Sequence, residues 1–234
     1  TIFVQDEASK TLLASIGIKA VVAGDTRFDR VAAIAAENKS LEGVARFCQS
    51  QKVMIAGSTW KVDIDQLKVA LPLDFLAQYR LIIVPHDVNE FNLVYIETQF
   101  PGKTVRYSLY SDNDSASILI IDSTGILSTI YRYGTFAYIG GGFGVSVHNI
   151  LEAAVYGCPT IFGPQHNKAN EAIDLIHLNG AIAVSNSNAL RAAIECFQND
   201  ENCQLYASVS KNYVERNIGA TARILESTDF GGLL

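Results

Sequence analysis

At 234 residues, with 49% hydrophobic and 18% charged side chains, the chain holds enough apolar material to bury a core, which excludes a disordered polypeptide. A formal net charge of -6 and a pI near 5.2 exclude a non-specific nucleic-acid binder, which needs a basic stripe to neutralise phosphates. A single nucleotide needs only one or two local cations and a helix N-terminus, so nucleotide binding stays open.

The chain opens with Thr1–Val4, read as a strand cut from a longer polypeptide, so an N-terminal portion is expected to be missing. Helix-like spacing over Ala8–Ile16 leads to a strand at Ala20–Ala23, then to helices at Phe28–Glu37 and Leu41–Gln49. A second buried strand is expected at Val53–Ala56. Pro72 interrupts the helical pattern of Val62–Tyr79 and predicts a kink or two shorter helices. Strands at Leu81–Val84, Val105–Leu109, Ile118–Ile121, Phe136–Ile139, Thr160–Phe162 and Ala181–Val184 alternate with helices at Val88–Gln99, Ile126–Gly134, Val147–Tyr156, Asn167–Leu178 and Ala189–Gln198. The tail from Asn202 to Leu225 is helical in pattern, and Gly231–Leu234 is expected to fray. Such alternation implies α/β architecture: a Rossmann-like parallel sheet with flanking helices and right-handed crossovers. No apolar run reaches the roughly 18 residues needed to span a bilayer, and no signal-peptide pattern opens the chain. The four cysteines, Cys48, Cys158, Cys196 and Cys203, match no metal spacing and read as reduced thiols of a cytoplasmic compartment.

In parallel sheets ligands bind beyond the carboxyl ends of the strands. The chemistry-bearing residues do follow apolar runs. Tyr138–Ala154 combines a strand, the glycines Gly140, Gly141, Gly142 and Gly144, and an amphipathic segment. Glycines permit positive φ and close approach, and a helix N-terminus favours an anion. On a helix from Val147, the residues Asn149, Glu152 and Tyr156 share a polar face opposite Val147, Ile150, Leu151, Ala154 and Val155. Glu152 is placed to accept hydrogen bonds from paired ribose hydroxyls, with Asn149 and the turn holding a phosphate. The plain alternative is a tight turn and a solvated carboxylate. Arg27, after the strand at Ala20–Ala23, is a fixed cation suited to charge growing on a phosphate leaving group, or else one half of an ion pair with Asp25 or Asp29. Ser123-Thr124-Gly125 suits a base or phosphate, or else Asp122-Ser123-Thr124 caps the helix starting near Gly125. His86 reads either as a ligand contact or as a histidine beside a turn. His148, His166 and His177 have no mutual ligand spacing, so no metal site is expected.

Six segments, Gly24-Asp25-Thr26-Arg27-Phe28-Asp29-Arg30, Ala56-Gly57-Ser58-Thr59, Val84-Pro85-His86, Asp122-Ser123-Thr124-Gly125, Gly140-Gly141-Gly142 with Asn149-Ile150-Leu151-Glu152, and Gly163-Pro164-Gln165-His166-Asn167, together resemble the ordered motifs of bacterial 3-deoxy-D-manno-octulosonic acid (Kdo) transferases. The resemblance runs from Thr1 to about Leu225. It implies the C-terminal half of a GT-B glycosyltransferase: residues 1–234 as the nucleotide-sugar (donor) domain with C-terminal helices, the N-terminal acceptor domain being absent. It further implies CMP-Kdo as donor, lipid A precursor as acceptor through the missing domain, inverting transfer without a bound metal, and no cofactor. The whole protein would sit at the cytoplasmic face of the bacterial inner membrane, with its membrane contact and general base in the missing part, and this half alone would be inactive. Carried over by residue, Pro85, His86, Thr124, Gly125, Ile126, Asn149, Ile150, Leu151 and Glu152 would contact CMP, and Arg27 would stabilise the transition state. Ser58, Gly141 and Gly142 are further candidates.

Three places depart from the pattern. Ile126 stands where many relatives have an acidic residue, leaving backbone contacts only. His86 replaces a frequent arginine. Trp60 replaces a common histidine, with Asp63 and Asp65 instead of an acidic pair set closer. Two other readings remain: the donor domain of another GT-B enzyme, such as a UDP-sugar transferase or UDP-N-acetylglucosamine epimerase, and a non-catalytic nucleotide-binding module.

Overall fold

The computed structural model describes residues 1–49, 51–112 and 114–227. In chain order the elements are β1 (Ile2–Val4), α1 (Glu7–Ser15), β2 (Ala20–Val22), α2 (Thr26–Ala36), α3 (Glu42–Cys48), β3 (Lys52–Thr59), α4 (Lys61–Ala70), α5 (Phe75–Gln78), β4 (Tyr79–Pro85), α6 (Glu90–Gln99) and β5 (Thr104–Arg106). There follow β6 (Ile118–Ile120), α7 (Leu127–Ile130), β7 (Phe136–Ile139), α8 (Leu151–Ala154), β8 (Thr160–Phe162), α9 (Asn170–His177), β9 (Ala181–Ala183), α10 (Ser187–Gln198), α11 (Asp200–Asn217) and α12 (Ala220–Ser227).

Every strand pairing is parallel. β3 to β9 form a seven-stranded sheet in the order β5-β6-β4-β3-β7-β8-β9. Side chains alternate across the pleat of β3: Val53 and Ile55 face one apolar layer with α2, α3 and α8, while Met54 and Ala56 face another with α4, α6 and α10. Two buried layers explain why these strands read as continuous apolar runs. From β3 the chain steps outward through β4 to β6, then returns to the other side of β3 with β7 and moves away through β8 and β9. The reversal lies between β3 and β7, and the crevice beyond their carboxyl ends is where a doubly wound sheet receives a ligand.

Three local expectations are corrected and one is met. Ala20–Ala23 is not an interior strand of the main sheet: among the described residues β2 pairs only with β1, in a separate two-stranded sheet. Val105–Leu109 is strand only to Arg106, and a 3-10 turn covers Tyr107–Leu109. Pro72 does divide its segment, into α4 and α5, as Gly219 divides the tail into α11 and α12. The expected helix Val147–Tyr156 shrinks to Leu151–Ala154, because the preceding residues are used in the turn described below. The expected fraying of Gly231–Leu234 lies outside the described residues. No helix among the described residues is long and apolar enough to cross a membrane.

The tail returns to the beginning of the chain. Arg223 Nε donates to Ala23 O at 2.7 Å, and Asp29 accepts from Gly219 N at 2.5 Å and Thr221 N at 2.7 Å. Asp29 thus holds the N-terminal end of α12, where an acid is favoured, and is not the partner of Arg27.

Candidate functional site

At the reversal point the backbones of three loops touch. β3 carries a bulge after Gly57, with Ser58 at a left-handed φ of 52°, and Ser58 O stands 2.2 Å from where a Cβ of Gly140 would be. A Cβ on Gly142 would meet Gly163 N at 2.6 Å. These glycines are therefore demanded by contact with neighbouring backbone. The turn also uses its own amides: Gly144 N donates to Gly141 O at 2.9 Å and His148 N to Gly140 O at 3.1 Å. With α8 beginning only at Leu151, the glycine turn and the helix N-terminus are two separate features. The expected anion cradle of Gly141 and Gly142 leading straight into a helix does not form.

Asp63 holds the turn in place. Its side chain is wholly buried and accepts from Tyr138 OH at 2.6 Å, Gly141 N at 3.0 Å and Trp60 N at 2.9 Å. A buried carboxylate without a cation persists only when such donors replace its water. Three residues after Trp60, which precedes α4, Asp63 sits at a helix-capping position, a signal the sequence carried. Its other partners, 75 and 78 residues away, were not legible. Asp65 instead accepts a hydrogen bond from Tyr95 OH.

Above Asp63, Trp60 from the end of β3, His86 from the end of β4 and His148 after β7 gather their rings. Trp60 Nε1 donates to His148 Nε2 at 3.0 Å. An indole nitrogen only donates, so His148 is neutral with its proton on Nδ1. Burial, reinforced by neighbouring His86, holds its pKa below the usual imidazole value. A cleft of about 590 Å³ lies alongside, lined by Trp60, Val62, Val145, Val147 and His148 among others. Pro85 is buried and paired with Thr59, leaving His86 as the exposed member of its motif.

Next along the chain, Asn149 Nδ2 donates to Glu152 Oε1 at 3.0 Å while its Oδ1 accepts from Leu151 N at 3.2 Å. Glu152 is half-buried beside Val31, Ser128 and Tyr156, and burial raises its pKa, against the lowering effects of Asn149 and Arg30. Ile150 and Leu151 have fully buried side chains in the core, so only their backbone can meet a ligand. On the neighbouring loop after β6, Thr124 and Gly125 are exposed and Ile126 precedes α7 without a side-chain cap. Asp122 does not cap that helix; it accepts from Ser108 N at 3.0 Å. Ser123 Oγ is buried with no hydrogen-bond partner. His86, His148, Asn149, Glu152 and Ser128 thus follow one another along the carboxyl edge.

Arg27 belongs to another cluster. Its Nε donates to Asp25 at 2.9 Å, and its Nη1 and Nη2 grip Glu171 at 2.8 and 3.0 Å. The pairing holds the guanidinium firmly charged, Asp25 contributing most. Glu171, only 3% exposed at the start of α9, was absent from the sequence reading because nothing links it locally to a residue 144 positions away. A polar cavity of about 230 Å³ adjoins the cluster, with Gln5, Asn170, Tyr213 and Arg223 in its wall. His166 places Nδ1 3.3 Å from Gly163 O and does not begin the helix, which starts at Asn170. Among the described residues no three His, Cys, Asp or Glu side chains are grouped so as to hold a metal ion.

No family model matches the chain. It is 26% identical over 231 residues to a 3-deoxy-D-manno-octulosonic acid transferase of Rickettsia typhi, covering 92% of this chain and 48% of that protein. By sequence, this chain is a relative of Kdo transferases. It spans about half the length of the Rickettsia relatives that match 92% of it. Among solved structures, the C-terminal CMP-Kdo binding domain of WaaA from Acinetobacter baumannii superposes with a TM-score of 0.54 at 20% identity, over 86% of this chain and all of that one. UDP-GlcNAc 2-epimerase from Neisseria meningitidis, bound to UDP-GlcNAc, superposes at 0.64 with 17% identity, over 98% of this chain and 60% of that one. The two structural likenesses establish the Rossmann-like fold of GT-B enzymes, and the sequence likeness is to Kdo transferases.

Proposed function

We propose that this chain is the donor-binding half of a Kdo transferase, taking CMP-Kdo at the carboxyl edge of the sheet. The observation that carries this reading is Glu152: a half-buried carboxylate, its pKa raised by burial, with one amide as its hydrogen-bonding partner. Such a group has acceptor capacity that the fold does not use, and a ribose diol supplies two O–H donors at the right spacing. His86 and the Thr124–Ile126 loop flank it as contacts for the rest of CMP.

In transfer, the sugar leaves CMP and charge grows on the phosphate, so a guanidinium acts most strongly as that charge develops. Arg27 takes this role in the family resemblance. Its grip on Glu171 and Asp25 fixes the guanidinium while leaving the side chain 45% exposed. The attacking hydroxyl of lipid A precursor needs a general base. We place that base, the acceptor site and the membrane contact at the cytoplasmic face of the bacterial inner membrane in the other half of the relatives' length.

Calorimetry with CMP, UDP and GDP tests the reading. CMP is expected to bind best, and Glu152→Ala to weaken it. A second reading, binding of a UDP-sugar, is favoured by the better superposition on the epimerase bound to UDP-GlcNAc; UDP binding ahead of CMP would establish it.

A further inference from the structure

Trp60 and His148 form a nearly flat pair. Their planes differ by 18°, their centroids stand 6.3 Å apart, and the indole N–H joins the imidazole edge to edge. His86 lies over both, 4.3 Å from Trp60 and 4.5 Å from His148, tilted by 25° and 20°. Rings on opposite faces of His86 would have its thickness between them and could not hydrogen-bond to each other at 3.0 Å. Trp60 and His148 therefore share one face of His86. The other face carries no further ring among the described residues, and the His86 side chain is 37% exposed.

An isolated surface imidazole samples several rotamers, and a ligand that stacks on it must first order it. Here the flat pair beneath has already done so. The pair itself is fixed from below, because Trp60 N and Gly141 N, at the roots of the two loops, are both held by buried Asp63. The result is a preordered planar aromatic surface at the reversal point of the sheet, with His148 directly preceding Asn149 in the chain.

We propose that this other face of His86 is the stacking surface for the base of the bound nucleotide, with Trp60 and His148 as positioning residues that hold it flat. This rests on the donor-binding reading above and adds the base subsite to it. Any base has a π-face, so the surface supplies affinity while the choice between cytosine and uracil falls to hydrogen-bonding groups.

The test uses the 234-residue chain with CMP and, as a ligand lacking a base, ribose 5-phosphate, both by calorimetry. Trp60 is the single tryptophan, so its emission reports on the stack directly. His86→Ala should weaken CMP binding about tenfold, His86→Phe should stay within about twofold of the parent, and neither should alter the response to ribose 5-phosphate. CMP should change Trp60 emission in the parent and not, even at saturation, in His86→Ala. Unchanged CMP affinity in a folded His86→Ala chain, or equal losses in the Ala and Phe variants, overturns the stacking surface and leaves the donor reading standing. A parent that binds neither CMP nor UDP removes the donor reading and the base subsite with it.

Discussion

Two carboxylates border the glycine-rich segment between β7 and α8, and their surroundings could hardly differ more. Asp63 is wholly buried and meets a phenol and two backbone amides. Glu152 is half-buried and meets one side-chain amide. The first has its water fully replaced by the protein, which makes it part of the fold. The second has given up water without full replacement, a debt that a ligand with hydroxyl donors can settle. The degree of satisfaction, more than charge or position, separates the structural acid from the one proposed to bind.

The sharpest break in this contrast is Asp63→Ala. It leaves Tyr138 OH, Gly141 N and Trp60 N without their acceptor inside the protein, and at about 1 to 3 kcal/mol for each unsatisfied donor a loss of about 3 to 5 kcal/mol is expected. Chemical denaturation measures it. A loss under about 1 kcal/mol would mean that water takes over the role, and the division between the two acids would fail.

Glu152→Ala should do the opposite: the melting temperature stays near the parent's, while CMP binding weakens by roughly 1 to 3 kcal/mol. Calorimetry beside a thermal melt reads both. A collapse in melting temperature with unchanged CMP affinity would exchange the roles of the two residues.

Arg27 tests whether a charge pair can serve both purposes. Removing it strands Glu171, but water can reach the gap, so Arg27→Ala should destabilise the chain by about 1 to 3 kcal/mol, below the range for a fully buried pair. In an enzyme that also carries the other half of the relatives' length, the same change should lower kcat more than it raises KM, and Arg27→Lys should restore part of the loss. A pure KM effect would make Arg27 an ordinary donor contact.

The sheet was largely legible because its strands are buried on both faces: Phe136–Ile139 and Thr160–Phe162 match their expected bounds. The site was legible only where it is local. Asn149 and Glu152 stand three residues apart and do meet. The helix expected from Val147 failed because a helical period says nothing of Val147 N donating to Gln165 O or of His148 N donating to Gly140 O, bonds that hold this stretch in the turn. The pairs Asp63 with Tyr138, Trp60 with His148 and Arg27 with Glu171 join residues 75, 88 and 144 positions apart, and no spacing rule reaches that far. β2 was misplaced for a related reason: its composition matches that of the main strands, and only its partner shows which sheet it joins.

The smallest expected effect is also the most specific to Glu152. Burial raises its pKa in the folded chain, whereas in the unfolded chain it returns to the ordinary glutamate value. The folded state therefore binds its proton more readily than the unfolded state, and by linkage the contribution of this group to stability is full below the unfolded pKa and declines as pH rises through the folded one. Glu152→Gln removes the titration while keeping shape and hydrogen bonding. Its melting temperature should approach the parent's as pH falls below the ordinary glutamate value, and exceed it slightly as pH rises through the raised folded value toward about pH 7. Melts across that window decide it, each repeated with saturating CMP. The ligand's hydroxyls satisfy the charged form, so CMP should stabilise the parent more than the Gln variant and narrow the gap at pH 7. An advantage for Gln that is constant with pH would show that Glu152 is not held in a desolvated site, and would undo its contrast with Asp63.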